Sequence, residues 1–373
     1  MRLKHFFYSA VILAVLLAAV TLTPAQSGRA RPAATPPPNE NDPVKIETEE
    51  IKLNVLAFNN HGEFIRDVSV DDLVIRENDV LHQATSIRRI PANVLIVMDT
   101  GGEMRSKKTL KQTQKTAMAV VSSLRPEDSV AVLQYADRAD IILEWTTDRD
   151  AAKRAIRNAK FGRRSVFVSA LFLAGEFLSK NNLENRHLVL ITDGTDSSAT
   201  REEKDEAMRG LLSTEINVHV ISYAVMETID IQPRTRTVSN TPPPKAMPDE
   251  VVAQLPNGVR QSAQAPRVGP TINLDRKLLA ALRERQADLV ESGAALESLA
   301  DNANGTLISP ENDEEMLQKA PLVAKYIDSS YVVTYTPKTP LSELSGVRDI
   351  SVTSRREGLI AQARRKLIVK GTQ

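Results

Sequence analysis

The sequence predicts a doubly wound α/β domain with a mostly parallel sheet, flanked by a discontinuous β-sandwich built from its N- and C-terminal segments. Three observations carry that prediction. Two apolar runs, VLIVM at residues 94–98 and LVLIT at residues 188–192, lead straight into Asp99 and Asp193. Runs this long and rich in β-branched residues read as parallel strands buried on both faces. Between and beyond them, strand-like and amphipathic helical stretches alternate over residues 92–328, the order that lays helices on both faces of one sheet. Period-two patterns occupy residues 46–91 and 329–373 on either side, so the simplest packing brings them together.

In order, residues 1–25 begin with Arg2, Lys4 and His5, continue as an apolar run to Leu22 and leave through Thr23, Pro24 and Ala25. A charged start, an apolar stretch and a small-residue exit are the parts of an export signal peptide. The run is close to the lower length for a membrane span, so it is either cleaved near Gln26 or kept as an N-terminal anchor. Export to periplasm, cell envelope or medium is expected, and the only membrane contact expected is through this segment if uncleaved. Residues 26–45 are rich in Pro, Ala and polar residues and read as a linker.

The 46–91 segment alternates from Ile51 through Leu53, Val55 and Ala57, then turns at Asn59, Asn60, His61 and Gly62. In the central domain, strands are expected at 94–99, 129–135, 141–143 (an edge strand), 188–192, 217–223 and 305–309. Helices are expected at 108–124, 148–159, 166–179, 201–212, from 274 onward, and at 313–327. The pattern breaks over residues 226–273, where Pro233, Pro242, Pro243, Pro244, Pro256 and Pro270 fall, and the stretch reads as a disordered insertion. The tail is β again, from Tyr331 to Tyr335 and beyond.

Composition excludes several function classes. The 373 residues hold 48 Lys and Arg against 47 Asp and Glu, far from the basic balance of a nucleic-acid binder. Losing residues 1–25, with two bases and no acid, would move the net charge from +1 to −1. With no cysteine there is neither a disulfide nor a thiolate metal site. No Gly-x-Ser-x-Gly elbow and no phosphate-binding glycine loop appears, so an enzyme is not expected.

In an open α/β sheet, function sits beyond the carboxyl ends of the strands. Asp99 and Asp193 both stand there. They serve either as helix N-caps or as ligands for a cation or cationic partner. Lys160, Arg163, Arg164, Arg105, Lys107 and Lys108 lie nearby in sequence. They form a solvated face or, on the sharper reading, a basic rim that neutralises the carboxylates without metal or steers an acidic partner. His187, Trp145 and the tail tyrosines are expected to be structural.

The strand ending at Asp99, the LRPEDSV lead-in to the next strand at residues 124–130 and the ITDG run at residues 191–194 together resemble a von Willebrand factor type A domain. The resemblance covers residues 93–327. The order of export segment, short β segment, central domain and a β tail with YVVTYTP at residues 331–337 resembles exported bacterial proteins of that group. It implies a protein-binding module of adhesion or scaffold type. It also implies a metal-ion-dependent adhesion site, formed by an Asp-x-Ser-x-Ser loop, a Thr and a second Asp. Asp99 and Asp193 match, and Ser165 stands where the Thr belongs. Gly101 and Glu103 replace the two loop serines, so the site is degenerate. Mg²⁺ prefers six oxygens and keeps several waters. Gly101 removes one oxygen, and Glu103 either adds a carboxylate that closes the site or points away from a site that has lost metal. The implied metal residues are therefore Asp99, Ser165, Asp193 and Glu103, with Mg²⁺ weak or absent. The implied partner is an unnamed protein engaged through an acidic residue. Restoring serine at 101 and 103 is expected to rebuild an open Mg²⁺ site. The alternative is a metal-free structural or interaction module of the envelope, working through its sandwich or insertion.

Overall fold

The computed structural model describes residues 50–102, 107–180, 183–240, 269–339 and 346–369, with Pro256 and Arg260. The expected export segment (residues 1–25), the expected linker (residues 26–45), Glu103 and most of the Pro-rich stretch after residue 240 lie outside the described residues.

The first β segment forms β1 (Ile51–Phe58), β2 (Leu73–Glu77), β3 (Val80–His82) and β4 (Ser86–Arg88). The central domain follows as β5 (Asn93–Asp99), α1 (Leu110–Ser123), β6 (Ser129–Tyr135), β7 (Ala139–Thr146), α2 (Arg149–Arg157), α3 (Phe167–Lys180) and β8 (Arg186–Thr192). It continues with α4 (Arg201–Leu212), β9 (Asn217–Ser222), α5 (Ala224–Ile231), β10 (Val238–Ser239), β11 (Thr271–Ile272), α6 (Arg276–Asn302), β12 (Leu307–Ile308) and α7 (Asp313–Asp328). The tail is β13 (Ser330–Tyr335), β14 (Gly346–Ser354) and β15 (Ile360–Val369).

Six strands make the central sheet in the order β12-β9-β8-β5-β6-β7, parallel except for β7, whose antiparallel pairing with β6 closes the edge. Alternation along β5 sends Val94, Ile96 and Met98 to one core and Leu95 and Val97 to the other. Helices α1, α2 and α7 cover the first face, and α3, α4 and α6 cover the second. Local chemistry starts most of these helices where the sequence signals them. Thr109, Asp148, Thr200, Asp275 and Asn312 each accept a backbone N–H of the first turn, satisfying donors the helix itself leaves open.

The flanking segments join in one curled antiparallel sheet, ordered β3-β2-β14-β15-β1-β13-β4. Its core holds Ile51, Leu53, Val55, Ile75, Val333, Tyr335, Ile350, Val352 and Leu367. The expected sandwich is thus a single sheet wrapped around its own apolar filling. The pattern also assigns residues from Met226 onward to an insertion, but α5 is helical there, with Met226, Glu227 and Ile231 buried. Eight residues are too few for a helical period to stand out, and Pro233 just beyond α5 masks it further.

The two sheets meet at the amino ends of the parallel strands, opposite Asp99 and Asp193. Asn54 of β1 reaches His187 Nε2 at 3.0 Å and Asn185 Oδ1 at 2.8 Å, and Lys52 meets Glu184 at 2.7 Å. His187 Nδ1 faces His219 Nε2 at 3.0 Å in a stacked pair. Burial holds both imidazoles below their ordinary range, His219 at about 4, with its neighbour's charge adding to the effect on His187. His187 is structural, as expected, and so are the buried tail tyrosines Tyr331 and Tyr335. Trp145 stacks on Phe177.

A folded pKa below the unfolded 6.5 means the unfolded chain takes up the proton first. The stability tied to neutral His219 is complete above pH 6.5 and is lost as pH falls toward 4. From pH 7.5 to pH 5.0, His219 alone should remove about 2 kcal/mol. Urea unfolding at the two pH values checks this: the midpoint should fall, and His219→Gln should flatten the dependence. An equal pH dependence in the variant would contradict it.

Candidate functional site

Beyond the carboxyl ends of β5 and β8 the chain brings Asp99, Ser165 and Asp193 into one buried cluster. Both carboxylates are 0% exposed. Asp99 Oδ1 accepts the Gly101 N–H at 3.1 Å. Its Oδ2 lies 3.4 Å from both Ser165 Oγ and Thr192 Oγ1. Asp193 Oδ1 accepts the backbone N–H of Thr195 at 2.9 Å and its hydroxyl at 2.6 Å. Ser165 Oγ donates to the Thr195 carbonyl at 3.1 Å. Glu103 lies outside the described residues.

What joins the two carboxylates is an ammonium. Lys108 Nζ stands 2.6 Å from Asp99 Oδ2 and 2.9 Å from Asp193 Oδ2, with its side chain 1% exposed. Lys108 immediately precedes Thr109, the cap of α1, so the helix start fixes where the stem begins. Glu227 of α5, itself fully buried, completes the placement. Its Oε1 accepts the backbone N–H of Lys107 at 2.7 Å and of Lys108 at 2.6 Å.

A second cation arrives from α6. Arg285 Nη2 meets Asp193 Oδ2 at 2.9 Å while Nη1 donates to Thr195 Oγ1 at 2.6 Å. Two carboxylates, one ammonium and one guanidinium make these four side chains neutral in sum. Burial alone would drive the Lys108 pKa down, but Asp193 and Asp99 outweigh it and raise it, so the ammonium keeps its proton. Burial would likewise raise Asp193, yet Lys108 and Arg285 hold it well below the usual carboxylate range. Among the described residues no guanidinium contacts Asp99, and burial leaves it raised, opposed by Lys108.

This donor set does not fit a divalent cation as it stands. An ion shared by Asp99 and Asp193 would need the place that Lys108 Nζ holds. Among the described residues no group of three or more His, Cys, Asp or Glu is arranged to hold a metal. Of the described basic residues near the site, Lys107, Lys160, Arg163 and Arg164 are exposed. Lys108 neutralises the carboxylates from inside, as the sharper expectation has it. Sequence reasoning missed Glu227 and Arg285, which lie in the supposed insertion and in a helix some ninety residues beyond Asp193. No local pattern points from either to the site.

Residues 94–195 match the family model for the von Willebrand factor type A domain. The chain carries a von Willebrand factor type A domain. A UPF0353 protein of Mycobacterium avium is 24% identical over 131 residues, covering 31% of this chain and 39% of that protein. The chain thus spans about two fifths of the length of this curated relative. Among solved structures, it is similar to an aerotolerance-related membrane protein from Bacteroides fragilis, with 16% identity, 63% of this chain and 98% of that one, and a TM-score of 0.37. It is also similar to a von Willebrand factor type A protein from Catenulispora acidiphila, with 10% identity, 87% and 75% coverage and a TM-score of 0.40.

Gly101 of the type A domain is more than a lost ligand. A Cβ there would stand 1.8 Å from the Arg164 carbonyl oxygen and 2.9 Å from Ala136 Cα, both backbone atoms. The loop after β5 lies against the loop before Ser165, and only hydrogen fits between them. Restoring serine at 101 therefore breaks the site instead of rebuilding it. Gly101→Ala should cost about 3 kcal/mol, the upper range for overpacking. Urea unfolding checks this as a lowered midpoint with unchanged slope. A midpoint equal to the parent's would contradict the close approach.

Proposed function

We propose that this chain is an exported protein-binding module of adhesion or scaffold type that engages its partner without a divalent cation. One observation carries the reading: the Lys108 ammonium lies between Asp99 and Asp193. The carboxylates that would hold an ion, and through it a partner's acidic residue, are satisfied within the chain. Type A domains are in general interaction modules, which favours binding over chemistry. The polar groups of the crevice favour it too. Ser165 Oγ is engaged with the Thr195 carbonyl, and the buried histidines stand at the other end of the sheet. Among the described residues no nucleophile there has a free base beside it.

With the crevice filled, the partner meets its rim. The exposed Lys160, Arg163 and Arg164 give that rim positive charge, which steers an acidic surface toward it. A second reading places the contact on the curled sheet, where Val80 and Leu81 of β3 and Val347 of β14 expose apolar side chains. The charged start and apolar run of residues 1–25, read as an export segment, favour action outside the cytoplasm. Among the described residues no helix is long and apolar enough to cross a membrane.

A photo-reactive residue placed at Arg163 or at Leu81, used in the native envelope, separates the readings. Trapping at Arg163 that persists in EDTA is the expected result. Trapping at Leu81 alone would favour the curled sheet, and loss of trapping in EDTA would sink the cation-free reading.

A further inference from the structure

One stretch of the surface is inside out. Strands β10 and β11 pair antiparallel with Val238 opposite Ile272, and cross-strand partners share a face. Val238 is 58% exposed and Ile272 65%, while Ser239, on the other face, is buried. Leu274 follows at 78%, and Leu278, in the first turn of α6, at 45%. Single apolar residues scattered on a surface need no explanation, but four gathered on one ribbon and the helix it enters mark an interaction site. We propose that this tip docks on an anionic lipid surface, with the four side chains entering the bilayer interface and Arg236, Arg276 and Lys277 meeting the headgroups. The contact is additional to any made by residues 1–25, and it holds whichever surface meets the protein partner.

Charge selects this occupant. Arg236, Arg276 and Lys277 are exposed and have no ion-pair partner among the described residues. The neighbouring acid, Asp275, is turned to the backbone, where its carboxylate accepts the N–H groups of Lys277 at 2.9 Å and Leu278 at 3.2 Å. Beyond that cap the first turn of α6 holds no acidic residue. Cations at the start of a 27-residue helix face the positive end of its dipole, so their placement does not serve the helix. It suits phosphate groups brought up from outside.

Shape selects it further. A leucine that keeps 78% of its surface in water has no walls around it, as a groove for a partner's side chain would provide. A fluid bilayer interface needs no matching relief. Protruding apolar side chains sink among the acyl chains, and the basic residues beside them stay with the headgroups. The tip is also tied down. The Asn273 N–H donates to the Thr237 carbonyl at 2.8 Å, and Arg283 Nε of α6 donates to the Thr235 carbonyl at 3.2 Å. Ribbon and helix therefore present their apolar side chains together.

The test uses the full chain, which has no cysteine, with a single Leu274→Cys carrying a polarity-sensitive fluorophore. The apolar run of residues 1–25 is able to enter a bilayer by itself, so the readout is the label's surroundings and not binding of the chain. Phosphatidylcholine vesicles with about 30 mol% phosphatidylglycerol should shift the emission to the blue, and the shift should shrink in high salt. The same label at Val347→Cys, exposed on the curled sheet, should not respond. Adding Arg276→Gln and Lys277→Gln should raise the lipid concentration for half-response about thirtyfold, at about fivefold per charge. All these positions are exposed, so the substitutions leave the core intact. No shift at 274, an equal shift at 347, or an equal shift on phosphatidylcholine alone overturns the proposal. A label already blue-shifted in buffer would show that the chain covers the tip itself, and overturns it too. So does a shift that grows with protein concentration without vesicles, which would make the occupant a second copy of this chain.

Discussion

Two carboxylates wholly shielded from water cannot both stay ionised unless a cation stands between them, and here Lys108 supplies that cation. The requirement is severe because each charge has left its hydration behind, and only close opposite charge and hydrogen bonds compensate. Much of the central domain's carboxyl-end architecture serves that contact. The close packing of the two loops at Gly101, the cap of α1 at Thr109, the burial of Glu227 and the reach of Arg285 from α6 all position one of its four charges. Removing one partner from such a cluster typically costs about 3–5 kcal/mol, because the remaining charge is stranded.

At the opposite end of the parallel sheet a buried seam of neutral side chains stands beside the Lys52–Glu184 ion pair. There, Asn54, Asn185, His187 and His219 join the central domain to the curled sheet through hydrogen bonds between uncharged side chains. Compensated charge sits where a type A domain presents its crevice, and a pH-sensitive neutral seam sits where the flanking sheet docks. Acid acts on the seam through burial of the imidazoles, while Lys108 and Arg285 keep the Asp193 carboxylate ionised.

The layout was legible because it depends on local patterns. Strands β5 and β8 announce themselves as uninterrupted apolar runs ending in Asp, and β7 is an edge strand as expected, though it runs over Ala139–Thr146 and not only 141–143. The helix expected at residues 201–212 forms over Arg201–Leu212. Asp99, Ser165 and Asp193 follow from the resemblance and do converge. What the sequence concealed depends on tertiary reach. Lys108 sits in a row of basic residues that mostly look solvated, and only the fold sends its stem inward. Glu227 and Arg285 act on the crevice across more than ninety residues, from segments whose own periodicity says nothing of it. Gly101 reads as a missing ligand, although its absent Cβ is what lets two loops touch.

A crystal of the native chain grown with MnCl₂, with data collected at the manganese absorption edge, addresses the central claim most directly. The account predicts Lys108 Nζ between Asp99 and Asp193, with no anomalous peak within coordination distance of either carboxylate. A manganese peak bridging the two aspartates, with Lys108 displaced from the crevice, would contradict it.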